Sequence, residues 1–373
     1  MKLNSKKPIL CFLLLGFLFS YLSADFYDNQ NVFNAQSVLN TFDIDTSYQA
    51  DPALFTQHYE KTIGDDWEKF IESYDKGYNY IPILKQMLND AEVPQEFLYL
   101  AMAESRFSTR AYSVKKAVGI WQIMPATAKS LGLRIDDFID ERRDPIKSTQ
   151  AAIKYLKQLK SITGKWYLAA MAYNCGIGRL QRAIKEAGSD DISVLMNSSK
   201  NYIPIETQHY IRIILSMNVA FSDVNTLKTL DKEYFLNRGT TTTLASVKVP
   251  SGTDFNSIAK SAGISIDDLK SYNRQFKYNF IPPNGGEYDV YLPYEYLLAF
   301  KTNFKPKKVD LSKFYIVYKV KKGDSLYSIS RKYSISIETL KNTNNIKKTL
   351  LSINQKLIIP LKQINQKLAY KAK

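Results

Sequence analysis

Glu104 is the residue of this 373-residue chain best placed for acid–base chemistry. It closes a row, Phe97, Leu100, Ala101 and Glu104, that falls on one face of a helix opened near Pro94. A carboxylate therefore stands where the period calls for an apolar residue. Burial among apolar side chains penalises the charged form, and a nearby helix C-terminus pushes the same way. Such a carboxyl suits a general acid at neutral pH. A solvated Glu at the edge of an amphipathic helix is the commonplace reading of the same position. Its neighbours in the sequence decide between the two. Ser105 follows directly, and fifteen positions after Glu104 begins Gly119-Ile120-Trp121-Gln122-Ile123-Met124-Pro125-Ala126-Thr127. Ala172-Tyr173-Asn174-Cys175-Gly176 and Tyr202-Ile203-Pro204-Ile205-Glu206-Thr207 come later, with Tyr210 one helical turn beyond Glu206.

These blocks lie among helices. Pro125 opens a short one closed by Gly132, and Asp144-Pro145 reads as an N-cap followed by a first-turn proline, with Gly164 closing that helix. Ala152, Tyr155, Leu156, Leu159 and Ile162 form its apolar stripe. Trp166 to Asn174 is almost wholly apolar, the pattern of a buried helix ending near Gly176. Arg179 to Ala187 and Thr207 to Phe221 add two more. Upstream, Asp25 to about Asp51 has no sustained period and reads as an extended lead-in. Helical periodicity starts around Pro52 to Tyr74.

The four blocks in this order resemble the lytic transglycosylases of the goose-type lysozyme superfamily, and more closely their membrane-bound D group, in which such a domain precedes lysin-motif (LysM) repeats. The resemblance covers most of the chain after about Asp75. It implies an all-α lysozyme-like catalytic domain over 76–225, preceded by an N-terminal extension over 25–75. It also implies a substrate, the glycan strands of peptidoglycan, cleaved at the β-1,4 bond between N-acetylmuramic acid and N-acetylglucosamine to leave a 1,6-anhydromuramic end. Glycosidases commonly use two carboxylates. The family resembled works with one, here Glu104, as acid and then base. By the same resemblance Ser105, Gln122, Met124, Tyr173, Asn174 and Glu206 bind substrate. Ser105 reads equally as a helix-end serine, Tyr173 as a packed tyrosine supporting Glu104, and Glu206 as a helix cap. Trp121 reads as core and Cys175 as a small buried filler. A lysozyme- or chitinase-type hydrolase on the same scaffold, and a non-catalytic wall-binding protein, are the competing readings.

Composition narrows the classes further. With 45% hydrophobic and 23% charged residues the chain has the make-up of a globular protein. Its formal net charge is +15, and +12 without the first 24 residues, which hold Lys2, Lys6 and Lys7 and no acid. That excess suits a polyanionic partner. Met1 to Ala24 reads as a signal peptide: three lysines, an apolar run from Ile9 to Phe19, and a small residue at the cut. Export to the periplasm or cell envelope follows as an expectation, and it argues against a nucleic-acid partner. Cys11 opens the apolar run instead of following it, so no lipid anchor is expected. An uncleaved signal acting as a tether leaves membrane association open. After cleavage Cys175 stands alone, and His58 and His209 are the only histidines. Metal hydrolases and Ser-His-Asp enzymes lack their materials here, so neither metal nor cofactor is expected.

Past Leu244 the texture changes to short strand-like pieces. Sliding the chain by 71 positions lays Lys248-Val249, Gly252, Ser257-Ile258, Ile264-Ser265-Ile266, Leu269-Lys270 and Asn273 onto Lys319-Val320, Gly323, Ser328-Ile329, Ile335-Ser336-Ile337, Leu340-Lys341 and Asn344. The second copy, 314–361, resembles LysM, which implies a two-stranded sheet backed by two helices and an affinity for N-acetylglucosamine-containing glycan. The first, 244–296, keeps the frame but replaces Lys321-Lys322-Gly323-Asp324-Ser325 with Pro250-Ser251-Gly252-Thr253-Asp254, so that a spacer and a sugar-binding module are equally open. A linker over 297–313 and a basic tail over 362–373 complete the expected layout of one all-α domain and two small α+β modules.

Overall fold

The computed structural model describes residues 35–50, 67–136, 138–222, 224–229, 243–282, 286–307, 315–344 and 346–360. The expected signal peptide, the basic tail and the helical stretch from 52 to 66 lie outside them.

In chain order the helices and strands are α1 (35–41), α2 (Trp67–Gly77), α3 (Ile81–Asp90), α4 (Leu98–Ser105), α5 (Pro125–Ser130), α6 (Pro145–Thr163), α7 (Trp166–Cys175), α8 (Ile177–Ala187), α9 (Ile192–Leu195), α10 (Ile205–Ser222) and α11 (Val224–Thr229). There follow β1 (Leu244–Pro250), α12 (Phe255–Ala262), α13 (Ile266–Tyr272), β2 (Glu287–Pro293), α14 (Leu297–Asn303), β3 (Tyr315–Lys319), α15 (Leu326–Lys332), α16 (Ile337–Thr343) and β4 (Lys356–Pro360). The chain divides into two compact units, one of residues 1–70 and 156–238, the other of 71–155 and 239–373.

In the first unit α7 packs against both α8 and α10. Apolar content explains this: Leu168 to Ala172 are buried in succession along α7, and Ile211, Ile214, Leu215 and Met217 along α10. Over its described residues, 35–50, the lead-in is not extended. Residues 35–41 are helical, and Val38, Leu39, Phe42 and Ile44 are buried. Tyr167 N–H bonds the Phe42 carbonyl, while Asp43 accepts the first amide of α7 from Trp166 and pairs with Lys160. Asp43 thus serves as a cap supplied from far away in sequence. The seven described residues of α1 are too few for a period to stand out, which is why the stretch reads as irregular.

In the second unit the caps fall as the sequence foretells. Asp144 Oδ1 accepts from Ile146 and Lys147 N–H at 2.9 Å, with Pro145 opening α6. Each repeat forms an antiparallel pair closing over two helices. Leu244 to Pro250 pairs with Pro293 to Glu287, and Tyr315 to Lys319 with Pro360 to Lys356. Along β1 the alternation of buried Val247 and Val249 with exposed Ser246 and Lys248 sets the face. One boundary needs correction. Residues 297–303, expected as linker, form α14, and its Phe300 is buried in the first module's core with Val247, Phe255, Phe276 and Val290.

Candidate active site

Helix α4 is short because the chain turns left-handed immediately after it. Arg106 (φ 52°) caps α4 with its N–H on the Met102 carbonyl at 2.8 Å, and Phe107 (φ 56°) follows in the same region. Two successive non-glycine residues there cost on the order of 1–3 kcal/mol each. Burial of Phe107 offsets this. Its ring stands edge-on to Tyr74 at 6.3 Å, over Gly77, where a Cβ would come within 2.7 Å of it. Glu104, half-buried in the last turn of α4, is thereby held beside a fixed chain reversal.

Ser105 ties that helix end to the block at 119–127. Its hydroxyl donates to the Ile120 carbonyl at 2.7 Å and lies 3.2 Å from the Ala101 carbonyl. The proton is therefore committed to backbone. A ligand would meet its lone pairs. Within the block Gln122 N–H closes a turn on the Gly119 carbonyl, and the Gln122 side chain folds back on the same oxygen at 2.9 Å. Gln122 is half-buried at φ 45°, leaving its amide oxygen as the group best able to accept from a ligand. Met124, the N-cap of α5, keeps 40% of its surface exposed, as a groove-lining residue must. Trp121 is wholly buried, its indole N–H donating to Thr149 Oγ1 at 2.8 Å, which makes it core.

One buried cation outside the expected set holds this block. Arg142 forms a two-pronged pair with Asp140 (Nε–Oδ1 3.0 Å, Nη2–Oδ2 2.8 Å), and its Nη1 donates to the carbonyls of Lys116 at 2.8 Å and Ile123 at 3.2 Å. Its own carbonyl lies against Gly119, where a Cβ would come within 1.9 Å of it. Glu141-Arg142-Arg143-Asp144 gives no sequence signal for this role of Arg142. Only the helix cap inside it carries a local signal.

Glu104, Ser105, Gln122 and Met124 thus belong to one compact unit, and Tyr173, Asn174 and Glu206 to the other. In the latter, Tyr173 and Asn174 occupy the last turn of α7, half-buried, and the chain turns at Gly176 (φ 86°). Asn174 Oδ1 accepts from the Thr207 hydroxyl at 2.7 Å, which aims the amide N–H pair away from Thr207. Glu206 is exposed in the first turn of α10, directly before the buried Thr207. Cys175 is half-buried rather than fully buried, and burial pushes its thiol up, with the Thr207 hydroxyl acting the other way. A protonated thiol is a poor nucleophile. Among the described residues no group of three His, Cys, Asp or Glu side chains could hold a metal ion.

Glu104-Ser105, the block at 119–127 and the block at 172–176 fall within one family match. The Transglycosylase SLT domain matches residues 81–196, the lytic transglycosylase MltD LysM-like domain 243–308, and the LysM domain 318–360. Membrane-bound lytic murein transglycosylase D of Escherichia coli (strain K12) is 31% identical over 291 residues, covering 74% of this chain and 62% of that protein's length. The peptidoglycan transglycosylase gp16 of Escherichia phage T7 is 34% identical over 142 residues, 36% of this chain and 10% of that protein. The chain is therefore built of an SLT transglycosylase domain followed by an MltD-type LysM-like domain and a LysM domain.

Proposed function

We propose that this protein is a peptidoglycan lytic transglycosylase in which Glu104 is both acid and base. The observation that carries the reading is that the SLT match encloses Glu104-Ser105 and the Gly119–Met124 turn, two stretches joined by the Ser105–Ile120 hydrogen bond. The Glu104 carboxyl gives its proton to the oxygen linking N-acetylmuramic acid to N-acetylglucosamine as the C1–O bond breaks, releasing the glucosamine side as an alcohol. The carboxylate then takes the proton of the muramic C6 hydroxyl while O6 bonds to C1. Glu104 ends protonated, no water is consumed, and a 1,6-anhydro end remains. Ser105 fixes the helix end against the block and Gln122 and Met124 contact the sugar; Tyr173, Asn174 and Glu206 are assigned to substrate binding from their sequence blocks alone.

The setting of this reaction is the cell envelope, reached by export on residues 1–24. Among the described residues no helix is long and apolar enough to cross a membrane. The second module holds the enzyme on glycan, and its exposed Tyr327, Leu350 and Ile353 are suited to sugar faces. The test of the catalytic assignment is turnover of purified sacculi by Glu104→Gln. A loss of at least about 10²- to 10⁴-fold is expected for a positioned general acid. Near-normal turnover refutes it.

A further inference from the structure

The two repeats share a plan and differ in what fills the space between their loops. In the first module the stretch after α13 folds back onto the stretch after β1. Gly252 N–H donates to the Ile281 carbonyl at 3.0 Å, Ile281 N–H to Thr253 at 2.9 Å, and Phe255 N–H to Asn279 at 2.9 Å. Phe280 and Ile281 are buried there. The module's own chain thus covers the stretch after β1. In the second module Leu350 and Ile353 of the corresponding stretch are 87% and 60% exposed.

The first module is also joined to the segment that leads into α6. Asp140 N–H donates to the Gln275 carbonyl and Lys277 N–H to that of Phe138, both at 2.9 Å, and Ile139 is buried within the module's own core. Arg134 donates to the Tyr288 hydroxyl at 2.9 Å, and the Tyr291 hydroxyl to the Asp144 carboxylate at 3.0 Å. This segment carries Asp140 and Arg142, whose guanidinium holds the carbonyls of Lys116 and Ile123 on either side of the Gly119–Met124 turn.

We propose that the first LysM-like module is a structural wing of the catalytic domain, not a second grip on glycan, and that Arg142 is the positioning residue through which the docked segment fixes the Gly119–Met124 block. The inference rests on the reading of Glu104 and that block as the reacting site. An enzyme that loses such support keeps its groups and misplaces them, and small displacements of a reacting array lower turnover by up to about a hundredfold.

The test uses the full chain and a soluble peptidoglycan oligosaccharide, with kcat and KM measured well below each variant's melting temperature. Arg142→Lys keeps the charge beside Asp140 and cannot reproduce the planar fork. It should lower kcat about tenfold and leave KM within about twofold. Tyr291→Phe removes one hydroxyl at the docking surface and preserves packing. It should lower kcat about threefold without weakening sacculus capture, and the double variant should lose less than the product of the two, because both act on one segment. A role in stability alone would move the melting temperature and leave kcat of the folded protein unchanged. Wild-type kcat in either single variant, or loss of sacculus capture by Tyr291→Phe, overturns the proposal. Glu104→Gln run alongside separates the two ideas. If it stays active, the underlying site reading has failed; if it is inactive while Arg142→Lys is not impaired, the positioning proposal alone has failed.

Discussion

Gly119, which opens the block tied to the end of α4, has little freedom to change. Its φ of 81° lies where other residues are strained, and an added Cβ would meet the Arg142 carbonyl at 1.9 Å. Gly119→Ala must either move that carbonyl or break the turn. A destabilisation of roughly 2–4 kcal/mol, seen in urea unfolding, is expected together with loss of activity. The need for a glycine here is invisible in the sequence, since the contacting carbonyl belongs to a residue remote along the chain. Other features were legible. The burial of Trp121 and the capping by Asp144 follow from local rules. The destination of the Ser105 proton does not, because a serine at a helix end can bond either way.

At the scale of elements, each repeat fastens its second helix to its closing strand with one asparagine. Asn344 Nδ2 donates to the Leu340 carbonyl and to the Ile358 carbonyl at 2.8 Å, and its Oδ1 accepts the Ile358 N–H. Asn273 does the same for Leu269 and Tyr291. The 71-position repeat picks out both residues without saying why they recur. Replacing Asn344 by Ala leaves strand groups unpaired, and a loss of about 2–3 kcal/mol from the second module is expected, checked by its melting transition.

The cap of α6 carries a pH signature. Burial pushes the Asp144 carboxyl up from 3.8 to about 6, outweighing the Lys147 N–H, the Lys147 charge and the Tyr291 hydroxyl, with Glu141 adding to the rise. The folded state thus holds this proton more tightly than the unfolded chain. Its contribution to stability is full below 3.8 and is lost as pH rises through about 6. Asp144→Asn keeps the capping oxygen and removes the titration. Urea unfolding at successive pH values from 4 to 7 should show a slope from this group of at most about 1.4 kcal/mol per pH unit in the wild type. The slope should be flatter in the variant; an unchanged one contradicts the assignment. Helix α14, which the sequence concealed, is seven residues long, too short for periodicity to separate it from loop.

At the scale of the whole molecule, the proposed function assigns catalysis and glycan holding to different parts of the chain. Removing residues 313–373 should weaken capture by sacculi more than it slows cleavage of a short soluble oligosaccharide, since tethering raises local concentration without touching the chemistry. Equal losses in both assays would contradict this division. The order of domains was legible from four short blocks and one internal repeat. The joining of the first module to the segment before α6 was not, because its contacts are backbone bonds and tyrosine hydroxyls with no sequence pattern of their own.

The central claim concerns the bond made when the glycan is cut. Sacculi digested by the wild-type protein, with the released muramic ends weighed by mass spectrometry, test it most directly. The account predicts ends lighter by one water, formed by the wild type and absent with Glu104→Gln. Hydrated ends would make the enzyme a lysozyme-type hydrolase and contradict it.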